Sequence, residues 1–261
     1  GSTTDHIWLY YSNTSATDNQ NPAGVWANGY SAVWHLDENS GSTISDSTSN
    51  GNNGTKRSVT EPSPVTSGMI GGAQDFDGMN DFITNDTLAS TRLLTMEAWV
   101  RPNALSGGWD TMMEIGDDQP WFGFLGSRKI AFYRGNAGIE SNAKVTISTF
   151  NHIVVTHDGK TVRMWINGVE DTPPASLRKI NTATGFGVGY NGSDGVFDGI
   201  IDEARVSNTV RSGDWVTAHY RSISRTFSTF RSEETIRDMA PAPVSRPLAN
   251  TTRTTEPRAH T

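Results

Sequence analysis

The chain contains no cysteine, which excludes disulfide bonds, thiolate metal sites and cysteine nucleophiles together. No apolar run approaches the roughly 18 residues that a membrane-spanning helix requires. Charged residues are only 19% of the 261 residues, and the net charge of −7 repels nucleic acid and anionic lipid alike. We therefore expect no nucleic-acid partner, no membrane insertion, and a fold held together by its buried core.

The composition favours turns and short strands over long helices, since the chain has 26 glycines and many asparagine, serine and threonine residues. The predicted strands are short β-branched and aromatic runs bounded by turn-forming residues. They are SAVWHLD, AQDFDG, DFITN, LTMEAWVRP, TMMEIG, WFGFLG, KIAFYRG, NHIVVTHDG, TVRMWING, TGFGVGY and IIDEARVS. So many strands at this spacing predict an all-β sandwich or barrel.

Alternation within the run MEAWVRP places Met96, Ala98 and Val100 on one face of a strand and Trp99 on the other. A tryptophan on that second face indicates that it is not simply exposed to solvent. The dipeptide Asp158–Gly159 predicts a tight hairpin turn between two strands, because glycine readily adopts positive φ.

The helical candidate is Ser212 to Arg221, which begins with a serine and has apolar residues at helical spacing. These patterns separate a sandwich (31–222) from a tail or linker (235–261). The tail contains four prolines and too little apolar surface to order on its own. Its arginines make it a solvated tail or an electrostatic docking arm.

Four stretches together resemble one family. The strand LTMEAWVRP, the hairpin HIVVTHDGKTVRMWINGVED, the closing strand FDGIIDEARVSNTVRS and the run FDGMNDFI are similar to those of laminin G-like domains in the concanavalin A-like lectin/glucanase superfamily. The resemblance spans about Ser31 to Ser222. It implies a concanavalin A-like jelly roll of two antiparallel sheets, with a short C-terminal helix and an extended tail.

The upstream run IWLYYSNTSATDNQNPAGVWANGYSAVWHLDE resembles a bacterial domain of unknown function. That domain commonly precedes such modules in exported surface proteins and in some proton-channel proteins of the biopolymer-transport type. The resemblance implies an N-terminal segment of an upstream unit (1–30), in which Asp5 to Asn28 add a strand and a loop, and a returning strand of that unit (223–234). It also implies that the protein is secreted or displayed at the cell surface. Gly1–Ser2 is either a cloning scar or a processed N-terminus.

Catalysis is a hypothesis that the fold raises, because glucanases share it. Their retaining mechanism needs two carboxylates about 5 to 5.5 Å apart, which a strand supplies through alternating acidic residues. No such run exists, and the adjacent Asp202 and Glu203 would point to opposite faces of a regular strand. The sequence also has no metalloprotease histidine spacing and no nucleophile elbow. We therefore expect no enzyme activity.

Calcium is the cofactor that the polar loop ENSGSTISDSTSNGNN suggests, because hard Ca²⁺ prefers six to eight oxygen ligands. Its candidate ligands in the loop are Glu38, Asp46 and Asn50, and Asx turns remain the alternative role of the latter two. The resemblance implies that the loop lies beside the closing strand, where Asp202 could add a carboxylate. Asp77 and Asp81 form a rival oxygen cluster, for which a turn is the alternative.

Sugar binding requires an aromatic ring for the C–H face of the sugar and polar groups for its hydroxyls. Three loops have this chemistry, and their candidate residues are Trp109, Asp110, Asp117, Asp118, Trp121, Tyr190 and Asn191. Trp121 also suits a core or rim position, and the loop after Tyr190 also suits a plain turn. The predicted partner is a glycan or a cell-surface polymer.

These observations predict a secreted, non-catalytic binding module for carbohydrate binding or adhesion, with a structural calcium. The alternative is a structural protomer of a surface filament or multidomain adhesin. In that case the terminal segments would reach neighbouring copies of the same chain.

Overall fold

The structure, a computed structural model, describes residues 13–57, 61–116, 120–126, 128–135, 137–171, 174–177, 183–189 and 195–225. All of them fall within one compact unit, Gly1–Phe227. The predicted tail (235–261) lies beyond residue 225, and so does the predicted returning strand (223–234) except for residues 223–225. Those two predictions therefore lie almost entirely outside the described residues.

Short strands dominate the described chain, with one helix near each end. The strands are β1 (Tyr30–Trp34), β2 (Thr43–Ile44), β3 (Gly54–Lys56), β4 (Ser63–Val65), β5 (Ala73–Asp77), β6 (Ile83–Ala89), β7 (Leu94–Ala104), β8 (Trp109–Ile115), β9 (Trp121–Leu125), β10 (Lys129–Arg134), β11 (Ala137–Glu140), β12 (Asn151–His157), β13 (Thr161–Ile166), β14 (Val169–Glu170), β15 (Ala175–Ser176), β16 (Thr184–Val188) and β17 (Asp198–Ser207). The helices are α1 (Pro22–Val25) and α2 (Gly213–Ile223).

Two antiparallel sheets form a sandwich. Sheet A has nine strands in the order β14-β13-β12-β7-β17-β5-β4, with β1 added on β17 and β15 on β13. Sheet B has eight strands in the order β11-β10-β9-β8-β16-β6-β3-β2. The predicted jelly-roll sandwich with a short C-terminal helix is confirmed.

The core lies between the two sheets, and the alternation predicted for β7 holds, since Met96, Ala98 and Val100 all belong to it. From β1, Trp34 extends into the core and packs at a tilt against Phe186 of β16, with their ring centroids 4.8 Å apart. Contact between side chains of the two sheets at this distance joins them into one core.

Strand β17 organises sheet A because it pairs with β7 on one side and with β5 and then β1 on the other. The change of partner coincides with a bulge. Two residues of β17 between Asp202 and Arg205 face the single residue Ala98 of β7, and Glu203 adopts a φ of 56°. A bulge of this kind interrupts the strict alternation of side chains.

Helix α2 covers the outer face of sheet A. It begins as predicted after Ser212, whose side chain accepts a hydrogen bond from the Trp215 amide. Its Tyr220 ring stacks on Trp99 of β7 with the centroids 5.7 Å apart. This contact confirms that the face of β7 bearing Trp99 is covered.

The predicted turn at Asp158–Gly159 is confirmed, with Gly159 at a φ of 91° and Asp158 capping the turn through its carboxylate. In the upstream segment, the described residues 13–29 contain the short helix α1, and residues 1–12, where part of the predicted strand and loop falls, lie outside the described residues. Within the described part of the chain, no helix has the length and apolar character needed to cross a bilayer.

Candidate carbohydrate site and a buried ion network

An aromatic cluster lies on the outer face of sheet B, where β8, β9 and β10 are neighbours. Trp109 makes edge-to-face contacts with Trp121, at 4.7 Å between ring centroids, and with Tyr133, at 4.8 Å. The Trp109 and Tyr133 rings meet at 80°. We call these three residues the aromatic corner.

Two glycines let the rings approach the sheet closely. A Cβ atom on Gly138 would lie 2.4 Å from the Tyr133 ring, and one on Gly123 would lie 2.4 Å from the Trp121 indole. Trp121 is 2% exposed and its Nε1–H donates to Thr111 Oγ1 at 2.9 Å. Trp121 therefore supports the corner, while the half-buried Trp109 and Tyr133 rings are available to a ligand.

Sequence reasoning missed Tyr133, although the alternation of β10 contained the signal. Phe132 belongs to the core, so its neighbour Tyr133 points outward. The register then pairs Tyr133 with Trp121 across the sheet. A cluster of aromatic rings on the outward face of a sheet marks a candidate binding surface, whereas a single exposed ring would not.

One carboxylate, that of Glu140, lies beside the corner. The Tyr133 hydroxyl lies 3.5 Å from Glu140 Oε1, and burial together with the Glu140 charge raises the pKa of Tyr133. The hydroxyl is therefore protonated at neutral pH. A phenol and an exposed carboxylate next to two rings can hydrogen-bond to sugar hydroxyls.

Asp110 does not share this surface with Trp109. Neighbouring residues of a strand face opposite sides, and Asp110 is 1% exposed with Oδ1 accepting from the Ser106 amide at 2.9 Å. Burial raises the pKa of Asp110, and a nearby Asp198 acts in the same direction. The predicted residues Asp117, Asp118, Tyr190 and Asn191 lie outside the described residues.

The loop predicted to bind calcium is held by its own hydrogen bonds. Asp46 Oδ1 accepts from the amides of Val33 and Thr48 at 3.0 and 2.9 Å. Asp46 Oδ2 accepts from Thr48 Oγ1 and the Asn52 amide, both at 2.8 Å. Four donors thus surround this carboxylate, and a cation would have to displace them.

Asn50 also acts as a local clasp, because its Nδ2 donates to the carbonyls of Tyr30 and Ser31 at 2.9 and 3.1 Å. Glu38 Oε1 accepts from the Ser45 amide at 2.7 Å. These bonds join the loop to β1, which in turn pairs with β17. The first and last strands of the sandwich are therefore connected here by hydrogen bonds.

Asp202 has a different environment. It is fully buried, and its Oδ2 accepts from the amides of Met69 and Ile70 at 2.6 and 3.0 Å. Burial raises its pKa to about 7 despite these backbone donors. The buried oxygens Asp202 Oδ1 and Glu38 Oε2 have no hydrogen-bond partner among the described residues.

The rival pair forms a turn, since Asp81 accepts from the Asp77 amide at 3.0 Å and Asp77 from the Met79 amide at 2.8 Å. Across the described ranges, no three His, Asp or Glu residues are grouped so that they could hold a metal ion.

An ion network lies under α2 on the outer face of sheet A. Arg205, 3% exposed, is bound by Glu97 at 3.2 Å through Nη1 and by Glu203 through Nη2. His35 Nδ1 contacts Glu203 at 2.8 Å. His219 of α2 lies 2.6 Å from Arg205 Nη1 through Nε2.

The network fixes its own charge states. Burial alone would raise the pKa of Glu97, but the His152 hydrogen bond and the Arg205 charge outweigh it and lower the pKa to about 2. Burial lowers the pKa of His219 to about 4, although the charge of Glu97 opposes the shift. At neutral pH the network therefore holds two carboxylates, one guanidinium and a neutral His219.

The chain resembles solved structures of the same fold. Domain 4 of the extracellular arabinanase AbnA from Geobacillus stearothermophilus, solved with arabinotriose, is 24% identical with a TM-score of 0.58, over 72% of this chain and 96% of that domain. The binding domain of Paraclostridial Mosquitocidal Protein 1 is 14% identical with a TM-score of 0.58, over 75% of this chain and 52% of that one. Trypanosoma rangeli sialidase with sialic acid is 12% identical with a TM-score of 0.57, over 77% of this chain and 34% of that one.

These likenesses are low in identity and show the fold alone. The chain spans almost the whole arabinanase domain, about half of the toxin binding domain and a third of the sialidase. No curated protein was found to match the chain. A laminin G-type family model, described as the concanavalin A-like lectin/glucanases superfamily, matches residues 76–217. Since this match covers more than half of the chain, the protein belongs to that superfamily.

Proposed function

We propose that the protein is a non-catalytic, secreted or surface-displayed module that binds a glycan at the aromatic corner. The observation that carries this proposal is the pair of half-buried rings, Trp109 and Tyr133, which meet at 80° on the outer face of sheet B. One ring can stack on the C–H face of a sugar while the other contacts the edge of the same sugar. The Tyr133 hydroxyl and Glu140 then lie where they can bond sugar hydroxyls.

The rigid framework of the corner supports binding as its role. Trp121 is fixed by its bond to Thr111, and Gly138 gives the Tyr133 ring its seat. A ligand that meets rings already in place loses less of its binding energy to ordering side chains. Fold relatives solved with arabinotriose and with sialic acid are consistent with a sugar ligand.

The charge states under α2 support the absence of glycosidase chemistry. Glu97 and Glu203 are two carboxylates that share one partner, Arg205, and a retaining mechanism needs a pair of carboxylates. Both bind Arg205, are nearly fully buried and have lowered pKa values, so neither can act as a proton donor. A glycosidase requires one acid with a raised pKa that reaches the glycosidic oxygen. Asp202 has a raised pKa, but it is fully buried and its Oδ2 accepts from the amides of Met69 and Ile70.

The test is a glycan array on the intact chain, followed by calorimetry with the best neutral oligosaccharide. We expect Trp109→Ala and Tyr133→Ala each to weaken binding by at least about tenfold, as removal of a central aromatic contact does. Phe150→Ala is the matched control, because Phe150 is also half-buried but stacks on Arg101 of sheet A. Unchanged affinity in both corner variants, or release of reducing ends from a polysaccharide, would contradict the proposal.

We place the proposed structural calcium at Asp202 rather than at Asp46. The carboxylate of Asp46 is already surrounded by four donors, whereas Asp202 Oδ1 is buried and lacks a partner among the described residues. A hard cation satisfies such an oxygen. Asp202 Oδ1 would be one ligand of the ion, while Oδ2 ties β17 to the turn at Met69–Ile70 through its two amide donors.

This placement is tested by thermal unfolding with added CaCl₂ and with a chelator. We expect the chelator to lower the melting temperature of the wild type and of Asp46→Asn by the same amount. It should have no effect on Asp202→Asn. A chelator effect that survives in Asp202→Asn would refute the placement.

A further inference from the structure

A second concave site lies on the opposite side of the molecule, between the segment that contains α1 and helix α2. It is a cavity of about 410 Å³, a size that suits a small ligand. Aromatic rings form much of its wall, and the lining residues are Val25, Trp26, Asn28, Tyr30, Arg211, Trp215, Ala218, His219 and Ser222. The cavity is separate from the aromatic corner, which lies on sheet B.

Arg211 is the unusual member of this wall. It is 5% exposed, and its guanidinium stacks on Tyr30 at 4.4 Å and on Trp215 at 5.0 Å from the ring centroids. Among the described residues, the guanidinium donates only through Nη2, to the Asn28 carbonyl and to Ser207 Oγ. Its Nε is buried with no partner, and no carboxylate pairs with Arg211 among the described residues.

A comparison with Arg205 shows how unusual this is. Both arginines are almost fully buried under the same helix, but Arg205 is bound by Glu97 and Glu203. A buried charge without a counter-charge is costly, and the cost is recovered when an anion binds. Arg211 therefore has the guanidinium donors that a carboxylate prefers, next to an open cavity.

The other groups that line or adjoin the cavity limit the chemical class of the ligand. A dianion is disfavoured, because Arg211 is the one arginine or lysine among the lining residues and the carboxylate of Glu97 lies 3.9 Å from His219 of the same wall. The indoles of Trp26 and Trp215 suit the C–H face of a ring, and Asn28, Ser222 and the neutral His219 can bond hydroxyls. An acidic peptide side chain would use the guanidinium but not these walls.

We propose that this cavity binds a sugar that carries a single carboxylate, such as a uronic acid, with its carboxylate on Arg211 and its ring against Trp215. The site is independent of the proposed glycan site at the aromatic corner. It would give the module a second, charge-selective contact with an acidic polysaccharide.

The experiment titrates the intact chain with methyl β-D-glucuronide and with its neutral counterpart, methyl β-D-glucoside. We expect the glucuronide to bind at least about tenfold more tightly to the wild type. Arg211→Gln should remove this preference, and Arg211→Lys should keep part of it. Tyr133→Ala should leave glucuronide binding unchanged, which separates this site from the aromatic corner.

A second variant avoids the buried groups in case Arg211→Gln fails to fold. Ser222 is exposed on α2, so Ser222→Trp should fill the cavity without disturbing the core. We expect it to abolish glucuronide binding. Equal affinity of the wild type for the two glycosides, or glucuronide binding that survives Ser222→Trp, would overturn the proposal.

Discussion

The outer faces of the two sheets differ in what they carry and in how they are covered. On sheet A, charged residues of β7 and β17 are buried beneath α2, where Glu97 and Glu203 both bind Arg205. On sheet B, the corresponding face carries aromatic rings, two of which remain half exposed. A charged face needs a cover and matched partners, whereas an aromatic face remains available for a ligand.

Removal of Arg205 should destabilise the ion network under α2, and it has the largest expected effect on stability. Arg205→Met leaves Glu97 and Glu203 buried together without their cation, so we expect the free energy of unfolding to fall by about 3 to 5 kcal/mol. Urea unfolding followed by circular dichroism measures the loss. A decrease of less than about 1 kcal/mol would show that the network contributes little to stability.

Acidic pH should lower the stability of the fold, because His219 under α2 resists protonation in the folded state. Its pKa is 6.5 in the unfolded chain and about 4 when folded, so between these values the unfolded state binds a proton that the folded state does not. Stability should therefore fall as the pH drops from 6.5 to 4, by at most roughly 3 kcal/mol. The groups facing His219 are Glu97, Arg205, His152 and Glu203.

The measurement is the urea midpoint of the wild type and of His219→Gln across this pH range. Part of the wild-type loss is offset by His35, whose pKa is raised by its bond to Glu203 and which therefore stabilises the fold at low pH. This offset is common to both proteins. Parallel profiles would mean that His219 is not responsible.

On sheet B, Gly138→Ala tests the position of the Tyr133 ring without removing any ring. The new Cβ would collide with the Tyr133 ring, which must then leave its seat. We expect glycan affinity to fall by about tenfold, equivalent to about 1.4 kcal/mol, with the fold preserved. Calorimetry measures the change, and an unaltered affinity would show that the position of the Tyr133 ring against Gly138 does not matter for binding.

The smallest effect is expected for an exposed ion pair on sheet A. Arg163 binds Glu170 at 2.8 Å, but the two side chains are 45% and 35% exposed. Arg163→Gln should change stability by less than about 1 kcal/mol because water screens the pair. This variant is the matched control for Arg205→Met, and an equal loss in both would mean that burial does not decide the effect.

The sequence predicted the long strands and α2 because their alternation and capping are local. It missed β11 and the two-residue strands such as β14, which are edge strands too short to produce a pattern. The sequence could not show on which face of the sheet the side chains of the adjacent residues Asp202 and Glu203 lie. The bulge in β17 depends on pairing with β7 and β1 rather than on local residues.

Only part of the candidate site could be predicted from the sequence. Trp109 and Trp121 were identified from their loops, but their contact with Tyr133 arises from the register between β9 and β10. Asp110 was wrongly grouped with Trp109 on chemistry alone, since alternation separates their side chains. The network under α2 joins residues far apart in the chain, so no local pattern reveals it.

The most direct test is an NMR titration that follows the tryptophan indole N–H signals while the best neutral oligosaccharide is added. If the aromatic corner is the binding surface, the Trp109 signal should shift and saturate, while the signals of Trp99 and Trp165 under α2 stay fixed. Shifts at the tryptophans of sheet A with Trp109 unchanged would contradict it.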